Sequence, residues 1–433
     1  MDRTVLEAKM RASIEMIRQK AGDNGKVIVL VSGGVDSMVT AALLQRALRE
    51  DQIYSIHVDH GFMRKDESAQ VIEALKAQGL KHITFIDAKA DFWNSRVEVG
   101  GGVFAGPITE VTDPEDKRGI VGRAFIDVTD RAILSLGLDP KTTFIAQGTL
   151  KPDIIESGNT ELAEGAEFVK THHNDVGIVR QMRAQGRIIE TNWDMFKEEV
   201  RALARMLGVD ERIASRQPFP GPGLAVRLIC SGGPLAPDPA ADGALEAFIR
   251  SAAPSMSARV APIRSVGVEN GRRSYRRPAV VAGGGLGADM AAISAISSSL
   301  TAAVPGVNRC VFALNRDKLD APLIGSECRV SDESVGILRS VDAIVTECLD
   351  GRGATQFFAA LIPVSAGRAK YSAVVRAVMT TDYMTARAAV PGVDFGLDAL
   401  EKICSRIAAE LPREIDMVLY DFTDKPPATI EWE

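Results

Sequence analysis

The spacing of apolar positions changes several times along the chain, and each change marks an element. Residues 1–22 mix charged and apolar side chains at helical spacing, which predicts an amphipathic helix. Residues 26–31 (KVIVLV) form a short continuous apolar run, as expected of a strand covered on both faces. Gly33 and Gly34 follow, and then an apolar helical stretch over 38–48. Residues 53–58, 83–86 and 143–146 read as three further strands, with a helix over 69–78. Strands alternating with helices predict an α/β fold built on a doubly wound parallel sheet.

Other stretches lack such a period. Residues 93–116 are rich in glycine and predict an irregular insertion or surface loop. Residues 158–187 are polar, contain His172, His173, Asn174 and Asp175, and fit a lid between ordered motifs. Residues 216–223 (RQPFPGPG) form a stiff connector, which divides the chain into domains 1–223 and 224–433. Beyond about residue 255 the sequence echoes itself. GRRSY within 262–281 returns as GRAKY within 362–379, and residues 304–314 return as 411–420. The two copies, about 255–320 and 356–433, each predict strands with one helix, an α+β region.

Composition narrows the function. A chain of 433 residues exceeds one ordinary core, so two or three domains are expected. The net charge is −6 and no Lys or Arg block stands out, which argues against a nucleic-acid partner. The opening residues hold no secretory apolar region, and no apolar run is long enough for a bilayer, so no membrane role is expected. The five cysteines are odd in number and show no CxxC spacing. They read as small buried hydrophobes in a cytoplasmic protein, not as a disulfide or zinc framework.

The chemistry concentrates at Ser32, Gly33, Gly34, Val35, Asp36 and Ser37, between a buried strand and an apolar helix. Glycines allow a sharp turn and close approach of a ligand. The helix start offers unpaired N–H groups and the positive end of its dipole, an anion site. The serines add hydroxyl donors, and Asp36 is suited either to cap the helix or to hold a cation that bridges phosphates. The GK[ST] ending of a Walker loop and the GxGxxG dinucleotide loop are both absent.

This S-G-G-x-D-S turn resembles the pyrophosphate loop of the N-type ATP pyrophosphatases, whose domain is adenine nucleotide alpha-hydrolase-like. Further motifs are VDHGFMR at 58–64, AQGTLKPDIIES at 146–157, KTHHN at 170–174, FPGPGLAVR at 219–227 and DKPPATIEWE at 424–433. Together they are similar to the synthetase part of the GMP synthetase family, over nearly the whole chain. The resemblance implies an ATP-dependent C–N ligase. ATP and Mg²⁺ activate xanthosine monophosphate (XMP), and ammonia then displaces AMP to give GMP. It assigns Ser32, Gly33, Gly34, Val35, Asp36, Ser37 and Asp59 to the nucleotide. Asp36 and Asp153 fall to the metal, and Glu156 and Lys170 join these two as catalytic groups. Arg118, Gln147, Lys370, Arg376, Lys425, Ile430 and Glu431 fall to the acceptor.

Plainer alternatives stay open: a solvated face or cap for Asp153 and Glu156, a solvated lysine at 170, a structural ion pair at Arg376. The family's glutaminase domain has no counterpart, since no cysteine precedes Cys230. Ammonia is therefore expected from a separate glutaminase subunit or from solution. The resemblance implies a homodimer, while the internal repeat leaves monomer and dimer both open. Gln217, Gly271 and Lys370 depart from the family pattern on the acceptor side. The alternative function is a related enzyme that aminates another purine-like nucleotide in a specialised pathway, or an inhibitor-resistant copy.

Overall fold

A computed structural model describes residues 3–151, 177–381 and 384–433. The chain divides into two compact units: Met1–Phe104 with Gly119–Gly221, and Ala105–Arg118 with Pro222–Glu433. The segment Ala105–Arg118, which the sequence assigns to the first domain, groups with the second unit.

In the first unit, β1 (Lys26–Leu30), β2 (Ile53–Asp59), β3 (His82–Asp87), β6 (Thr143–Gln147) and β7 (Ile188–Glu190) form a parallel sheet ordered β3-β2-β1-β6-β7. The apolar run of β1 is explained by its two covered faces. Val27 and Val29 pack into a cluster with residues of α1 (Arg3–Ala21), α2 (Val35–Ala47) and the helix Lys197–Met206. Between them Ile28 points the other way, toward Ile133 of α5 (Pro114–Ser135) and Met182 of the helix Gly177–Ala184. All three are fully buried, or nearly so, and each contributes about 1.5–3 kcal/mol of transfer free energy. The strand order reverses at β1, so a crevice is expected at its carboxyl end.

Residues 93–116 are more regular than their glycines predict. They hold α4, which starts at Lys89 and ends at Asn94, and a two-stranded ribbon of β4 (Val97–Gly100) and β5 (Val103–Ala105). Gly100, Gly101 and Gly102 make the turn at positive φ, where side chains are disfavoured. The part of 158–187 that is described forms the helix Gly177–Ala184 and the turn into β7.

The second unit is built on an eight-stranded mixed sheet. Its main path is β13 (Gln356–Ile362), β15 (Tyr371–Met379), β17 (Ile415–Asp421), β11 (Val307–Ala313), β10 (Arg272–Ala282) and β8 (Ser257–Val260). Strand β9 (Ser265–Glu269) pairs with β10, and β16 (Arg387–Ala388) with β15. A separate short pair joins β12 (Ile324–Gly325) to β14 (Val364–Ser365). Two halves run in the same order of helix, hairpin strands, helix and parallel strand. One is Pro239–Ala252, β8, β10, Met290–Ala303 and β11; the other is Asp332–Leu349, β13, β15, Asp398–Glu410 and β17. The GRRSY and GRAKY echoes fall at the starts of β10 and β15, and the halves meet where β11 and β17 pair antiparallel. Four cysteines are buried and Cys404 is half-buried, all as free thiols.

Buried charge holds residues 421–433 to this sheet. Asp421, fully buried, accepts from Arg309 Nη1 (2.8 Å) and the Trp432 indole (3.0 Å) and pairs with Arg376 (3.3 Å). Burial raises its pKa, but the two guanidinium groups more than offset this and hold the carboxyl below its usual range. Removing the charge would leave two buried cations short of an acceptor. Asp421→Asn is therefore expected to cost about 3–5 kcal/mol, seen as a lower urea midpoint at unchanged slope. A midpoint equal to wild type would refute this role.

Candidate active site

At the carboxyl end of β1 the chain turns through residues 32–37 into α2. Gly33 adopts φ +89°, and a Cβ there would meet Val71 Cγ2 at 2.7 Å. Only glycine fits. Its carbonyl accepts from Arg216 Nη1 at 3.0 Å, and the same guanidinium binds Glu67 (3.1 Å) and Gln70 (2.9 Å). Ser37 Oγ donates to the Gly34 carbonyl (3.0 Å), and Thr40 Oγ1 and Asn192 Nδ2 both donate to the Asp36 carbonyl (3.0 and 3.2 Å). The turn is thus fastened through its carbonyl oxygens.

Its N–H side is different. Gly34 occupies the N-cap of α2, and no side chain among the described residues caps that helix. Asp36, in the first turn, is not the cap that one sequence reading allows. Its Oδ2 accepts from Lys197 Nζ at 2.6 Å, at the start of the helix Lys197–Met206. Its Oδ1 is buried without a hydrogen-bond partner among the described residues. The turn therefore presents uncapped helix N–H groups, two serine hydroxyls 3.4 Å apart, and one unsatisfied carboxylate oxygen. Val35 is buried and contributes backbone only.

The flanking strands bring two more predicted residues to the same end of the sheet. Asp59, last in β2, accepts from the Gly61 N–H and from Ser68 Oγ, both at 2.8 Å. Ser68 Oγ also meets His57 Nε2 at 3.0 Å, while His57 Nδ1 faces the Val31 carbonyl at 2.7 Å. Burial of this imidazole pushes its pKa down, against the pull of Val31, Asp59 and Glu67. Gln147, last in β6, accepts from Arg183 Nη2 at 2.6 Å. Just beyond it Thr149 Oγ1 is buried without a partner among the described residues. Asp153, Glu156, Lys170, His172 and His173 lie outside the described residues.

In the second unit the predicted acceptor residues divide into two kinds. Arg118 is mostly buried and reaches Glu115 (3.0 Å) and the Tyr275 hydroxyl (3.2 Å). Lys370 Nζ lies 4.9 Å over the Tyr371 ring. Lys425 is bridged through its backbone to Ala386, and Ile430 packs on the sheet core. Arg376 is fully buried, donating to the carbonyls of Thr423 and Thr429 beside its ion pair with Asp421. Glu431 accepts a two-pronged contact from the buried Arg227, 3.0 Å on each arm. Arg376 and Glu431 thus tie residues 421–433 together.

The structure adds residues that the sequence reading passed over: Lys197 and Arg216 at the loop, and Lys117, Arg227 and Arg309 under residues 421–433. Lys117, fully buried, binds the Glu433 carboxylate and the carbonyls of Ala225 and Leu228. Arg216 opens the connector RQPFPGPG and Arg227 closes the motif FPGPGLAVR, and that placement was the one available signal; Lys117, Lys197 and Arg309 fall in none of these motifs.

Residues 350–432 match the GMP synthase C terminal domain, and residues 8–91 match the NAD synthase family. A glutamine-hydrolyzing GMP synthase of Dictyostelium discoideum is 33% identical over 94% of this chain and 63% of its own length. For one of Symbiobacterium thermophilum the figures are 37%, 99% and 61%. A probable glutamine-hydrolyzing GMP synthase of Leptospira interrogans is 31% identical over 98% of this chain and 67% of its own length. The chain spans roughly three fifths to two thirds of the relatives it matches. Similarity that runs through both units and includes the strand–turn–helix at residues 26–47 has one consequence: the chain belongs to the GMP synthase family.

Proposed function

We propose that the chain is the synthetase of GMP formation. ATP adenylates O2 of XMP and pyrophosphate leaves; ammonia then attacks C2, AMP departs, and GMP and a proton result. The observation that carries this reading is the uncapped start of α2, with Asp36 drawn aside by Lys197. An oxygen on a purine ring is a poor leaving group, whereas AMP is a good one. The amides and hydroxyls of Ser32, Gly33, Gly34, Val35 and Ser37 would bind the pyrophosphate as its charge develops. Asp59 would orient the nucleotide from the neighbouring strand β2, and Gln147, at the end of β6, would serve the acceptor.

A magnesium ion fits here, because Asp36 Oδ1 is a buried hard oxygen lacking a hydrogen-bond partner among the described residues. Asp36 and Asp153 would hold the ion, which supplies charge neutralisation on the departing pyrophosphate. Glu156 and Lys170 are proposed to act on the ammonia proton and the phosphate oxygens. Arg118, Lys370, Arg376, Lys425, Ile430 and Glu431 are proposed to form the acceptor side, Arg376 and Glu431 by fixing residues 421–433. The ammonia is proposed to come from a glutaminase outside these 433 residues, and the C-terminal unit to support a homodimer. The names of the relatives support a glutaminase, since they are glutamine-hydrolyzing.

Two measurements test this. Pyrophosphate release is expected with XMP plus ammonia, and not with IMP or other purine nucleotides. Release only with a different nucleotide would replace XMP as acceptor and favour the alternative to which Gly271 and Lys370 point. Lys197→Ala is expected to let Asp36 fold back as the cap of α2, in competition with phosphate. A cap is worth about 1 kcal/mol, so the KM for ATP should rise roughly fivefold without a fall in Tm. An unchanged KM would show that Lys197 does not govern Asp36.

A further inference from the structure

In the second unit three donors converge on one carboxylate. Glu115, in the first turn of α5, accepts from the Tyr275 hydroxyl at 2.5 Å, from Arg273 Nη1 at 2.9 and 3.1 Å, and from Arg118 Nη1 at 3.0 Å. Arg118 Nη1 also reaches the Tyr275 oxygen at 3.2 Å. Arg273 and Tyr275 stand two apart on β10, on one face of the strand. Two guanidinium groups and a phenol around a single anion are the donor set that holds a phosphate monoester. Here the anion belongs to the chain, and it is not sealed in: the Glu115 side chain is 49% exposed, against 15% for Arg118.

We infer that Glu115 is a specificity-determining residue, the resident occupant of an anion cradle that a phosphate group displaces, in the proposed reaction that of a nucleoside 5′-monophosphate. The inference deepens the proposed reaction and rests on it for the identity of the ligand. The physical basis is competition. A singly charged anion entering the cradle gains no more than Glu115 already has, and an unphosphorylated nucleoside gains nothing. A phosphate monoester carries about −1.5 to −2 charges and three acceptor oxygens, enough to engage both arginines and the phenol at once. Burial raises the Glu115 pKa, but the Tyr275 hydrogen bond and the two arginines hold it below the usual range, so the competitor is ionised at neutral pH. The Tyr275 phenol, pushed up to about 12 mainly by burial and next by Glu115, stays a donor.

A purely structural Glu115, which merely props the arginines in place, predicts the opposite sign. The test is calorimetric titration of the full chain with XMP and, separately, with inorganic phosphate. Glu115→Gln is expected to bind both more tightly, XMP on the order of fivefold, because an exposed ion pair no longer has to be broken. The KM for ATP should stay at its wild-type value. Adding Arg273→Ala to Glu115→Gln should erase the gain. Glu115→Asp, which keeps the charge but withdraws it by one methylene, should also bind XMP more tightly and serves if the Gln variant does not fold. Equal or weaker binding of XMP and phosphate by these variants overturns the inference. Because the phosphate arm needs no turnover, it decides this point even if XMP proves not to be the acceptor.

Discussion

The structure of the first unit turns on a helix end that has been left open. The first N–H groups of any helix seek an acceptor, and the carboxylate in the first turn of α2 is Asp36. Were Asp36 to cap α2, the site would be closed by its own residue. Lys197, from a helix more than 150 residues further on, holds the carboxylate away at 2.6 Å. Apart from a long Gly34 N–H to Ser32 Oγ contact of 3.4 Å, the other fastenings of the turn use carbonyl oxygens: Arg216 on Gly33, Ser37 on Gly34, Thr40 and Asn192 on Asp36. The turn is rigid on its acceptor side and available on its donor side, as binding of an anion requires.

The second unit solves a different problem. Arg227, Arg309 and Arg376 are all fully buried, and each needs compensation. Asp421 serves two of them; Asp342 and Glu431 serve the third. Arg309 Nη2 donates to the carbonyls of Val266, Thr429 and Glu431, which fixes the path of residues 429–431. The Trp432 ring then lies under the Arg309 guanidinium at 4.7 Å. A segment rich in proline and charge has little regular structure of its own, and these cations give it one conformation.

Much of this was legible in the sequence where the information is local. The run at 26–31 and the turn at 32–37 lie next to each other, so strand, turn and helix could be read within three residues of their observed limits. Val27 and Val29 facing one layer and Ile28 the other is what an unbroken apolar run means. Residues 97–105 were misread as irregular because glycine signals turns, and a short ribbon is mostly turn. The partners of the turn were not legible. Lys197 and Arg216 are separated from Asp36 and Gly33 by more than 150 residues, and each sits in a stretch that reads as an ordinary charged helix or linker. The family motif flagged Arg376 and Glu431 as functional, but no spacing rule could tell that both are tied into the residue 421–433 clamp.

That contrast explains how one half of the pattern can stay fixed while the other drifts. The turn proposed to bind phosphate is made chiefly of backbone, so it tolerates change only where glycine or a short hydroxyl side chain remains. At Gly33 the approach of Val71 forbids any Cβ. The proposed acceptor side relies mostly on side chains of the second unit, and there a single replacement alters which groups are paired. Asn270 and Gly271 adopt positive φ at the tip of the β9–β10 hairpin, with open space around Gly271. A glycine at 271 strains nothing there, and a lysine at 370 finds an aromatic face to rest on. These two departures from the family pattern therefore sit where the fold does not resist them, and under the proposed function their effect would fall on the choice of acceptor.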